Sequence, residues 1–420
     1  MSSSQQQSHP FPEQLRQAFD TACTAHSQGQ LAEALRLYLL LLQHLPHFPL
    51  LHYNLGLVRY DLGDYAEALQ AFATAEALAP ADVDTLFNLA LCHKRTGDAA
   101  SAIAIYRRLL ALEPDHADCL YNLGGCHLGR HEDLEAMACY RQVLALRPDN
   151  LSAVNNLAYL HHRAGETEQA IAYYSQVLEQ RPEDQSVGYL LAALLGIPLA
   201  QAPDAYVRNF FDTYAEGFER HLVDGLGYDN PRQLHACLRH SPAGGTRYAH
   251  GLDLGCGTGL SGQAFCGTVA ELDGVDLSAR MLAQAAQKAC YARLHHDSIL
   301  HHLAGTEATY DFFLATDVFI YVGELEPIFT AARMVARPGA LFCFSTEHLE
   351  TDGYRLLPTG RFAYAPAYIQ AVADRTGWSV LAREAVRLRR HGDGWLAGDV
   401  WICRLAPAAE NSDRQADRPN

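Results

Sequence analysis

The stretch GLDLGCGTGLSG, residues 251–262, has the composition of a ligand-binding turn. An apolar run ends at Leu252, so a tight turn is expected to begin at Asp253 and Gly255. Three glycines let the backbone turn sharply and approach a ligand closely: Gly255, Gly257 and Gly259. The carboxylate at the entrance of the turn favours a cationic ligand. The pattern therefore predicts a binding loop for a positively charged cofactor.

Two kinds of cofactor use glycine turns like this one. Gly257, Gly259 and Gly262 have the G-x-G-x-x-G spacing of a dinucleotide-binding turn, whereas D-x-G-x-G-x-G from Asp253 is the loop that holds S-adenosylmethionine (SAM) in many methyltransferases. A dinucleotide would bring its pyrophosphate beside Asp253, which is repulsive. SAM carries an ammonium group and a cationic sulfur instead. The residues therefore favour SAM over NAD.

Three further carboxylates fall where strands are expected to end. Asp276 closes the second strand about 20 residues past the glycine turn, where a carboxylate bonds ribose hydroxyls. Asp297 follows the third strand and is expected to accept from an adenine amino group, with helix capping as the alternative. Asp317 closes the fourth strand, beside the expected substrate space. Cys256 and Leu277 adjoin these positions and complete the predicted cofactor contacts.

Methyl transfer needs a base only where the acceptor has a proton to lose, as a hydroxyl or an ammonium does. Candidate bases near the expected strand ends are Asp317, Tyr321, Glu347, His348, Tyr354 and Tyr364. All six side chains can take part in proton transfer, so the sequence keeps all of them as candidates.

Two arginines suit an acceptor that carries a carboxylate, because guanidinium binds carboxylate through two parallel hydrogen bonds. These are Arg355 and Arg361, in GYRLLPTGRF, and the alternative is that both are solvated loop residues. The histidine doublets at 295–296 and 301–302 have no cysteine or carboxylate geometry to complete a metal site. No metal is expected.

These side chains require a sheet whose strands end together. From about residue 202 onward, β-rich runs alternate with helical ones, which predicts a mainly parallel sheet with helices on both faces. The predicted strands are YAHGLDL, AELDGVD, ARLHH, YDFFLATDV, ALFCFSTE, WSVLAREAVR and DVWICRL. The last two follow one another without a clear helix and predict a terminal antiparallel hairpin. An α/β doubly wound, Rossmann-like domain is therefore expected over residues 203–406.

The first half of the chain repeats every 34 residues. Alanine, an aromatic residue and proline recur in phase: Ala34, Ala68, Ala102, Ala136 and Ala170; Tyr38, Phe72, Tyr106, Tyr140 and Tyr174; Pro46, Pro80, Pro114, Pro148 and Pro182. Glycine marks the turn inside each repeat at Gly29, Gly63, Gly97 and Gly165, and His131 stands there in the fourth repeat. This is the tetratricopeptide (TPR) period. It predicts an all-α solenoid of five repeats over residues 11–182, closed by a capping helix and linker over residues 183–202.

Asparagine recurs in the same phase, although it is a mediocre helix former. The residues are Asn54, Asn88, Asn122 and Asn156. An asparagine amide presents a donor and an acceptor side by side, which matches a peptide group. The column resembles the asparagine ladder of O-linked N-acetylglucosamine transferases and predicts a groove for an extended protein or peptide partner. The alternative is that each asparagine bonds to an adjacent helix. The phased histidines His93, His127 and His161 are expected to line the same groove as neutral imidazoles.

Composition argues against several functions and locations. The formal net charge is −16 and no patch of lysine and arginine is visible, so no nucleic-acid partner is expected. No apolar run is long enough to cross a bilayer and residues 1–10 lack a secretory signal, which predicts a cytoplasmic protein without a membrane partner. The eleven cysteines have no paired spacing and are expected to be reduced thiols. Residues 1–10 and 407–420 are expected to be disordered tails.

Four motifs together resemble class I SAM-dependent methyltransferases, and more narrowly bacterial methyltransferases in which a TPR array precedes the catalytic domain. The motifs are LDLGCGTGL, GVDLSARML, FFDTYAEGFERHL and GYRLLPTGRFAY. The resemblance implies that the glycine turn with Asp253 holds SAM, that Asp276 holds the ribose and that Asp297 holds the adenine. It also implies a helical lid, FFDTYAEGFERHL, that brings Tyr214 and either Phe218 or His221 to the cofactor. Core packing of this helix is the alternative.

The resemblance implies a SAM-dependent methyltransferase whose TPR groove recruits a protein or peptide, as substrate or carrier. The methyl acceptor would be that protein or a small molecule. The main alternative is a non-catalytic TPR adaptor that merely retains a SAM-binding domain. An NAD-dependent reductase is disfavoured by Asp253 and by the absence of a Tyr-x-x-x-Lys pair.

Overall fold

The structure is a computed structural model that describes residues 12–215, 217–392 and 394–406. The tails expected at residues 1–10 and 407–420 lie outside these ranges. The chain divides after Val177 into two compact units.

Ten helices form five consecutive pairs, as the 34-residue period predicts. They are α1 (Glu13–Ser27) and α2 (Leu31–His44), α3 (Pro49–Asp61) and α4 (Tyr65–Leu78), α5 (Val83–Arg95) and α6 (Ala99–Leu112), α7 (Ala117–Gly129) and α8 (Asp133–Leu146), and α9 (Leu151–Arg163) and α10 (Thr167–Gln180).

The phased small and aromatic residues build the core of this array. All five phased alanines are 0% exposed, and the five phased rings are at most 1% exposed. The alanines let the paired helices approach closely, and the rings fill the space that remains. Gly56 shows how close the approach is, because a Cβ on it would lie 2.6 Å from the ring of Phe72.

The turn inside each repeat uses a left-handed residue. Gly29, Gly63, Gly97 and Gly165 have φ between 73° and 84°, as expected for a helix that ends on glycine. His131 adopts φ 60° at the same position of the fourth repeat. A side chain is costly in this conformation, so the surrounding packing must compensate at that turn.

Two of the phased histidines are buried at these turns. His127 and His161 are 3% and 4% exposed. His127 Nδ1 lies 2.6 Å from Glu132 Oε2, and His161 makes the same contact with Glu166. The prediction that these two residues line a groove is wrong, because each one meets an acidic residue five positions later across the turn. His93 follows the same pattern with Asp98, at 3.3 Å.

The second unit contains a nine-stranded sheet. Its strands are β1 (Tyr248–Leu254), β2 (Val269–Asp276), β3 (Arg293–His296), β4 (Tyr310–Ala315), β5 (Ala336–His348), β6 (Tyr354–Leu357), β7 (Arg361–Tyr364), β8 (Trp378–His391) and β9 (Gly394–Leu405). The parallel part runs in the order β3-β2-β1-β4-β5. β9 pairs antiparallel with β5 and with β8, so the predicted terminal hairpin is confirmed.

Helices cover both faces of this sheet. They are α11 (Gln185–Leu195), α12 (Asp204–Tyr214), α13 (Asn230–His240), α14 (Leu260–Ala264), α15 (Ala279–Gln287), α16 (Ile299–Gly305), α17 (Glu326–Met334) and α18 (Pro366–Thr376). Phe265 and buried residues of α13 share one core with Leu341 and Cys343 of β5. Residues of α16, α17 and α18 share the other core with Phe342 and Phe344, whose side chains point to the opposite face. The fold is therefore the predicted doubly wound α/β sheet.

Two segments take part in this unit in ways that the sequence did not predict. Tyr189 of α11 is 2% exposed and its hydroxyl donates to Gly360 O at 2.8 Å, so this helix belongs to the core of the second unit. That α11 also closes the repeat array stays a prediction. The motif GYRLLPTGRFAY forms the hairpin β6–β7, which pairs with the end of β5.

No helix in the described parts of the chain combines the length and the apolar character needed to cross a membrane.

Candidate functional site

The glycine turn follows β1 at the carboxyl edge of the sheet. The turn begins at Gly255, later than predicted, because Asp253 lies inside β1 and pairs with Gly274 and Leu314 of the neighbouring strands. Gly255, Gly257 and Gly259 all have left-handed backbones, with φ of 68°, 53° and 90°. A Cβ on Gly255 would lie 2.7 Å from Val318 Cγ2, whereas one on Gly257 would have no atom within 4 Å. The turn therefore packs against the segment after β4 and borders open space at Gly257.

Asp253 is buried beneath this turn. It is 0% exposed, and Tyr291 Oη donates to its Oδ2 at 2.7 Å. Its other oxygen, Oδ1, is buried without a hydrogen-bond partner among the described residues. Burial raises the pKa of Asp253 to about 8, and the nearby Asp276 adds to the shift. Without a neighbouring cation, Asp253 therefore holds its proton near neutral pH.

Tyr291 was not singled out from the sequence, yet it supports the whole turn. Besides donating to Asp253, its hydroxyl accepts from Gly262 N at 3.2 Å. A Cβ on Gly262 would lie 2.6 Å from Tyr291 Cζ, and one on Gly259 would lie 3.0 Å from Tyr291 Cε2. Gly262 is thus a packing residue within α14, as its small size predicts.

Asp276 lies at the end of β2, next to the glycine turn. Its two carboxylate oxygens accept from Gly257 N at 2.9 Å and from Ser278 N at 2.8 Å. Burial raises its pKa, and these two N–H groups partly offset the shift. Each carboxylate oxygen can accept a second hydrogen bond, so capacity for ribose hydroxyls remains. Leu277 and Cys256 flank this contact, with Leu277 half-buried and Cys256 4% exposed.

Asp297 follows β3 on the same edge of the sheet. Its carboxylate accepts from Ser298 N at 2.7 Å and lies 2.7 Å from His301 Nδ1. Burial alone would raise its pKa, but these hydrogen bonds hold the pKa below its ordinary value. The cap of α16 comes from Ser298, whose Oγ accepts from His301 N at 3.3 Å. The carboxylate of Asp297 is therefore ionised, and one of its two close partners is a histidine.

The described residues contain no group of three histidine, cysteine or acidic side chains that could hold a metal ion. Of the two histidine doublets, His301 contacts Asp297, and the rings of His295 and His302 lie 4.4 Å apart.

These features fit SAM. The space above Gly257 admits a ligand against the backbone, Asp276 keeps acceptor capacity beside it, and Asp253 Oδ1 is an orphaned buried acceptor below it. An orphaned carboxylate oxygen is costly unless a donor or a cation approaches it. An ammonium group such as that of SAM would meet that requirement, whereas a pyrophosphate would not.

The segment predicted as a lid packs on α15, directly after the Asp276 contact. Ser278 Oγ donates to Asp212 Oδ1 at 2.5 Å, Gln284 Nε2 donates to Ala215 O at 2.5 Å, and Lys288 forms an ion pair with Glu219. Tyr214 is 44% exposed, and the centroid of its ring lies 4.8 Å from that of Phe210. The prediction that Tyr214 contacts the cofactor therefore rests on the resemblance.

Phe211 of the same segment reaches the acceptor side of the site. Its ring lies 5.6 Å from that of Tyr321 and 5.7 Å from that of Phe218. The lid segment thus connects α15 with the residues that follow β4.

A buried charge cluster lies at the ends of β4 and β5. Arg389 of β8 is 3% exposed and donates to Asp317 Oδ2 at 2.7 Å and to Glu347 Oε1 at 2.5 Å. Burial raises the pKa of Tyr321, and the nearby guanidinium groups of Arg361 and Arg389 partly offset the shift. Burial raises the pKa of Glu347, and the two arginines partly offset the shift. The cluster therefore joins two acids, two arginines and a tyrosine in one enclosed place.

Asp317 has two unusual properties within this cluster. Its backbone is left-handed, with φ 59°, and its Oδ1 is buried without a partner among the described residues. Its N–H donates to Ser345 Oγ at 2.9 Å, which fixes the strained turn. Tyr228 also lies close enough to Asp317 that the carboxylate raises its pKa, although burial is the larger cause. Neither Tyr228 nor Arg389 was singled out from the sequence.

The pleat of β5 separates one further candidate base, His348, from this cluster. His348 follows Glu347 and points to the opposite face, where its Nδ1 lies 2.7 Å from Asp399 Oδ2. Tyr354 and Tyr364 belong to a group of packed tyrosine rings with Tyr368, in which Tyr364 and Tyr368 are stacked. Tyr364 donates to Phe319 O at 2.8 Å and is 1% exposed. Of the six candidates, Asp317, Tyr321 and Glu347 are therefore together. Burial raises the pKa of Tyr364, and Glu347 is near enough to add to the shift, whereas His348 and Tyr354 lie apart from the cluster.

The two candidate arginines also separate. Arg361 and Arg355 lie on the same face of the β6–β7 hairpin, where Arg361 pairs across the strands with Leu357 and Arg355 with Ala363. Arg361 is half-buried beside Tyr321, whereas Arg355 is exposed on the outer strand. Arg361 is thus the one that faces the cluster.

The asparagine column of the first unit bonds along the array. Asn88 Nδ2 donates to Tyr53 Oη at 3.3 Å and to Asp84 O at 2.9 Å, and Asn156 Nδ2 donates to Tyr121 Oη at 3.4 Å. These contacts match the packing alternative for the amide donors. Asn54, Asn88 and Asn156 are half-buried, and their amide oxygens accept no hydrogen bond from the described residues, so a role in partner binding stays a prediction.

Two regions match known protein families. Residues 252–339 match a family described as methyltransferase domain, which covers the glycine turn, Asp276, Asp297 and Asp317. Residues 49–82, 84–116 and 134–194 match families described as tetratricopeptide repeat. No curated protein matches the chain.

Solved TPR structures resemble the chain in part. MamA from Desulfovibrio magneticus RS-1 is 20% identical, covers 41% of this chain and 98% of its own, and gives a TM-score of 0.40. A tetratricopeptide repeat protein from Parabacteroides merdae is 19% identical over 48% of this chain and 79% of its own, with a TM-score of 0.41. YrrB, a TPR protein, is 18% identical over 40% of this chain and 86% of its own, with a TM-score of 0.37. By its matched families, the chain carries tetratricopeptide repeats followed by a methyltransferase domain.

Proposed function

We propose that the second unit is a SAM-dependent methyltransferase and that the first unit recruits a protein or peptide as substrate or carrier. The observation that carries the proposal is the glycine turn beside Asp276. Three glycines of the turn have left-handed backbones, Gly257 borders open space, and Gly257 N donates to the carboxylate that closes β2. The match of residues 252–339 to a methyltransferase domain supports the same conclusion.

In this proposal SAM supplies a methyl group on a cationic sulfur, and the chain binds and orients the reactants. Gly255, Gly257 and Gly259 admit the cofactor, Asp276 accepts from the ribose, and Asp297 accepts from the adenine. The carboxylate of Asp253 balances the ammonium group. Cys256, Leu277 and Tyr214 complete the contacts.

The acceptor would approach the cluster of Asp317, Glu347 and Arg389. Asp317 Oδ1 is an unused acceptor, so it is the proposed site for the proton of an acceptor hydroxyl or amine. Tyr321 lies beside it, and Arg361 would bind a negative group of the acceptor. His348 and Tyr354 are second candidates, and Arg355 would contact only the outer part of a large acceptor. This cluster favours catalysis over the adaptor alternative, because a binding-only domain has no need of buried paired charges at that place.

Calorimetry should show that the full chain binds SAM and does not bind NAD. Asp276→Asn should weaken SAM binding by tenfold or more, because a hydrogen bond to a charged group contributes about 1.5–3 kcal/mol. Glu271→Gln is the control, since Glu271 is an exposed carboxylate of the same strand. Tight NAD binding without SAM binding would overturn the proposal, and an unchanged SAM affinity in Asp276→Asn would remove Asp276 from the site.

Partner recruitment by the asparagine column has its own test. Changing Asn88 and Asn122 to alanine together should weaken capture of the partner, measured by co-purification, and leave SAM affinity intact. A double variant that melts earlier but captures its partner normally would assign the asparagines to packing alone.

We also place the protein in the cytoplasm. None of its eleven cysteines forms a disulfide in the structure, and free thiols are typical of reducing compartments. Recovery of the chain outside the soluble cytoplasmic fraction of its cells would contradict this location.

A further inference from the structure

Lys94 contacts one member of the asparagine column through its ammonium group. It lies on α5, and its Nζ donates to Asn122 Oδ1 on α7 at 3.0 Å. In two other repeats the asparagine donates from Nδ2 to a tyrosine hydroxyl of the preceding repeat: Asn88 to Tyr53 and Asn156 to Tyr121. The corresponding residue for Asn122 is Phe87, which has no hydroxyl. Asn122 therefore has no tyrosine acceptor for its Nδ2, and its polar partner from the preceding repeat is Lys94, which donates to its amide oxygen instead.

A notch lies beside the Lys94 ammonium. Position 125 is glycine, whereas the neighbouring repeats have Leu57, Leu91 and Tyr159 in the same phase. A Cβ on Gly125 would lie 3.3 Å from Lys94 Nζ and 3.8 Å from Tyr140 Oη. Because position 125 has no side chain, a space remains there, and the Lys94 ammonium and the Tyr140 hydroxyl lie next to it.

The positive charge at this notch lacks a neutralising carboxylate. Elsewhere in the first unit cations form ion pairs, for example Arg147 with Asp118 at 2.8 Å. No carboxylate in the described residues lies within ion-pair distance of Lys94, and the adjacent Arg95 donates to a neutral group, Tyr60 Oη, at 3.2 Å. Although Lys94 as a whole is exposed, desolvation of its ammonium lowers its pKa and Arg95 lowers it further.

We propose that Lys94, Gly125 and Tyr140 form an anchor for an aspartate or glutamate side chain of an extended partner segment. The carboxylate enters the Gly125 notch, accepts from the free donors of Lys94, and is oriented by the Tyr140 hydroxyl below. An ionised acceptor and donor make the strongest class of hydrogen bond. The inference rests on the proposed recruiting role of the first unit and is independent of methyl transfer.

The test uses the full chain and two fluorescein-labelled peptides of twelve residues. One alternates serine with glutamate and the other alternates serine with glutamine, so the two differ only in charge. Fluorescence anisotropy should show that the acidic peptide binds about tenfold more tightly or better. This preference should shrink as salt is raised, because the pair is partly exposed.

Two variants locate the preference. Lys94→Met should abolish it, whereas Arg107→Met, which removes an exposed cation from the second helix of the same repeat, should retain it. Gly125→Leu fills the notch with the side chain found in neighbouring repeats and keeps the net charge. It should raise the melting temperature, since glycine is a poor residue inside a helix, and still lose the preference.

Equal binding of the two peptides, no binding of either, or a preference that survives both Lys94→Met and Gly125→Leu would overturn the anchor. SAM calorimetry on the same proteins separates the two proposals. A chain that prefers the acidic peptide but does not bind SAM would refute the methyltransferase proposal alone, and a chain that binds SAM without the preference would refute the anchor alone.

Discussion

Arg389→Met should destabilise the second unit by about 3–5 kcal/mol in urea unfolding, because it leaves a buried pair of carboxylates without their shared cation. Arg389 is 3% exposed and is the guanidinium that contacts both Asp317 and Glu347. Methionine fills much of the same volume, so the loss reports the charge rather than a cavity. Arg361 remains nearby but does not bridge the two acids.

The matched control is Arg387→Met, two residues earlier on the same strand, where the side chain is exposed. Its effect should stay within about 0.5 kcal/mol. Adding Asp317→Asn and Glu347→Gln to Arg389→Met should recover much of the lost stability, because neutral amides need no cation. If Arg389→Met is no less stable than Arg387→Met, the cluster does not depend on charge balance.

Asp253→Asn should change the pH dependence of stability in the absence of SAM. The pKa of Asp253 is about 8 in the folded chain against an ordinary 3.8. Between these values the unfolded chain releases the proton and the folded chain keeps it, so folding loses about 1.4 kcal/mol per pH unit as pH rises. Asparagine does not titrate. The stability of Asp253→Asn relative to the native chain should therefore increase by about 4 kcal/mol from pH 5 to pH 8.

Urea unfolding at the two pH values measures this change, with Asp352→Asn, an exposed carboxylate, as the control. The same series at saturating SAM tests the role of the carboxylate. A cation beside Asp253 lowers its pKa again, so the pH-dependent difference should become smaller. A difference that is constant with pH would contradict the buried, protonated Asp253.

The repeats were predictable because each repeated position has one local requirement. Ala102 must let two helices touch, Tyr106 must fill the gap beside it, and both are fully buried. The doubly wound sheet was predictable for a similar reason, since apolar runs such as YDFFLA recur between amphipathic helices. The sequence also contains a pattern that predicts α13: a proline in its first turn and apolar residues at Leu234, Cys237 and Leu238, all three of which are buried.

The site was only partly predictable, because its contacts join residues that are distant in the chain. Asp276 and Gly257 follow from a local pattern at a strand end. Arg389 does not, since it resembles its exposed neighbours Arg387 and Arg390 in the sequence. Its burial depends on where β8 lies, and Tyr291 likewise contacts Asp253 only after β1 and β2 have paired.

The strand order β5-β9-β8 also has a consequence for the time at which the charges are balanced during synthesis. β9 lies between β5 and β8, although it follows both in the chain. A nascent polypeptide can pair β1 to β5 as they leave the ribosome, which brings Asp317 and Glu347 to one edge. Arg389 reaches them only once β9 has been translated and inserted. Until then the two acids lack the cation that bridges them, and Arg361 is the cluster's guanidinium already present.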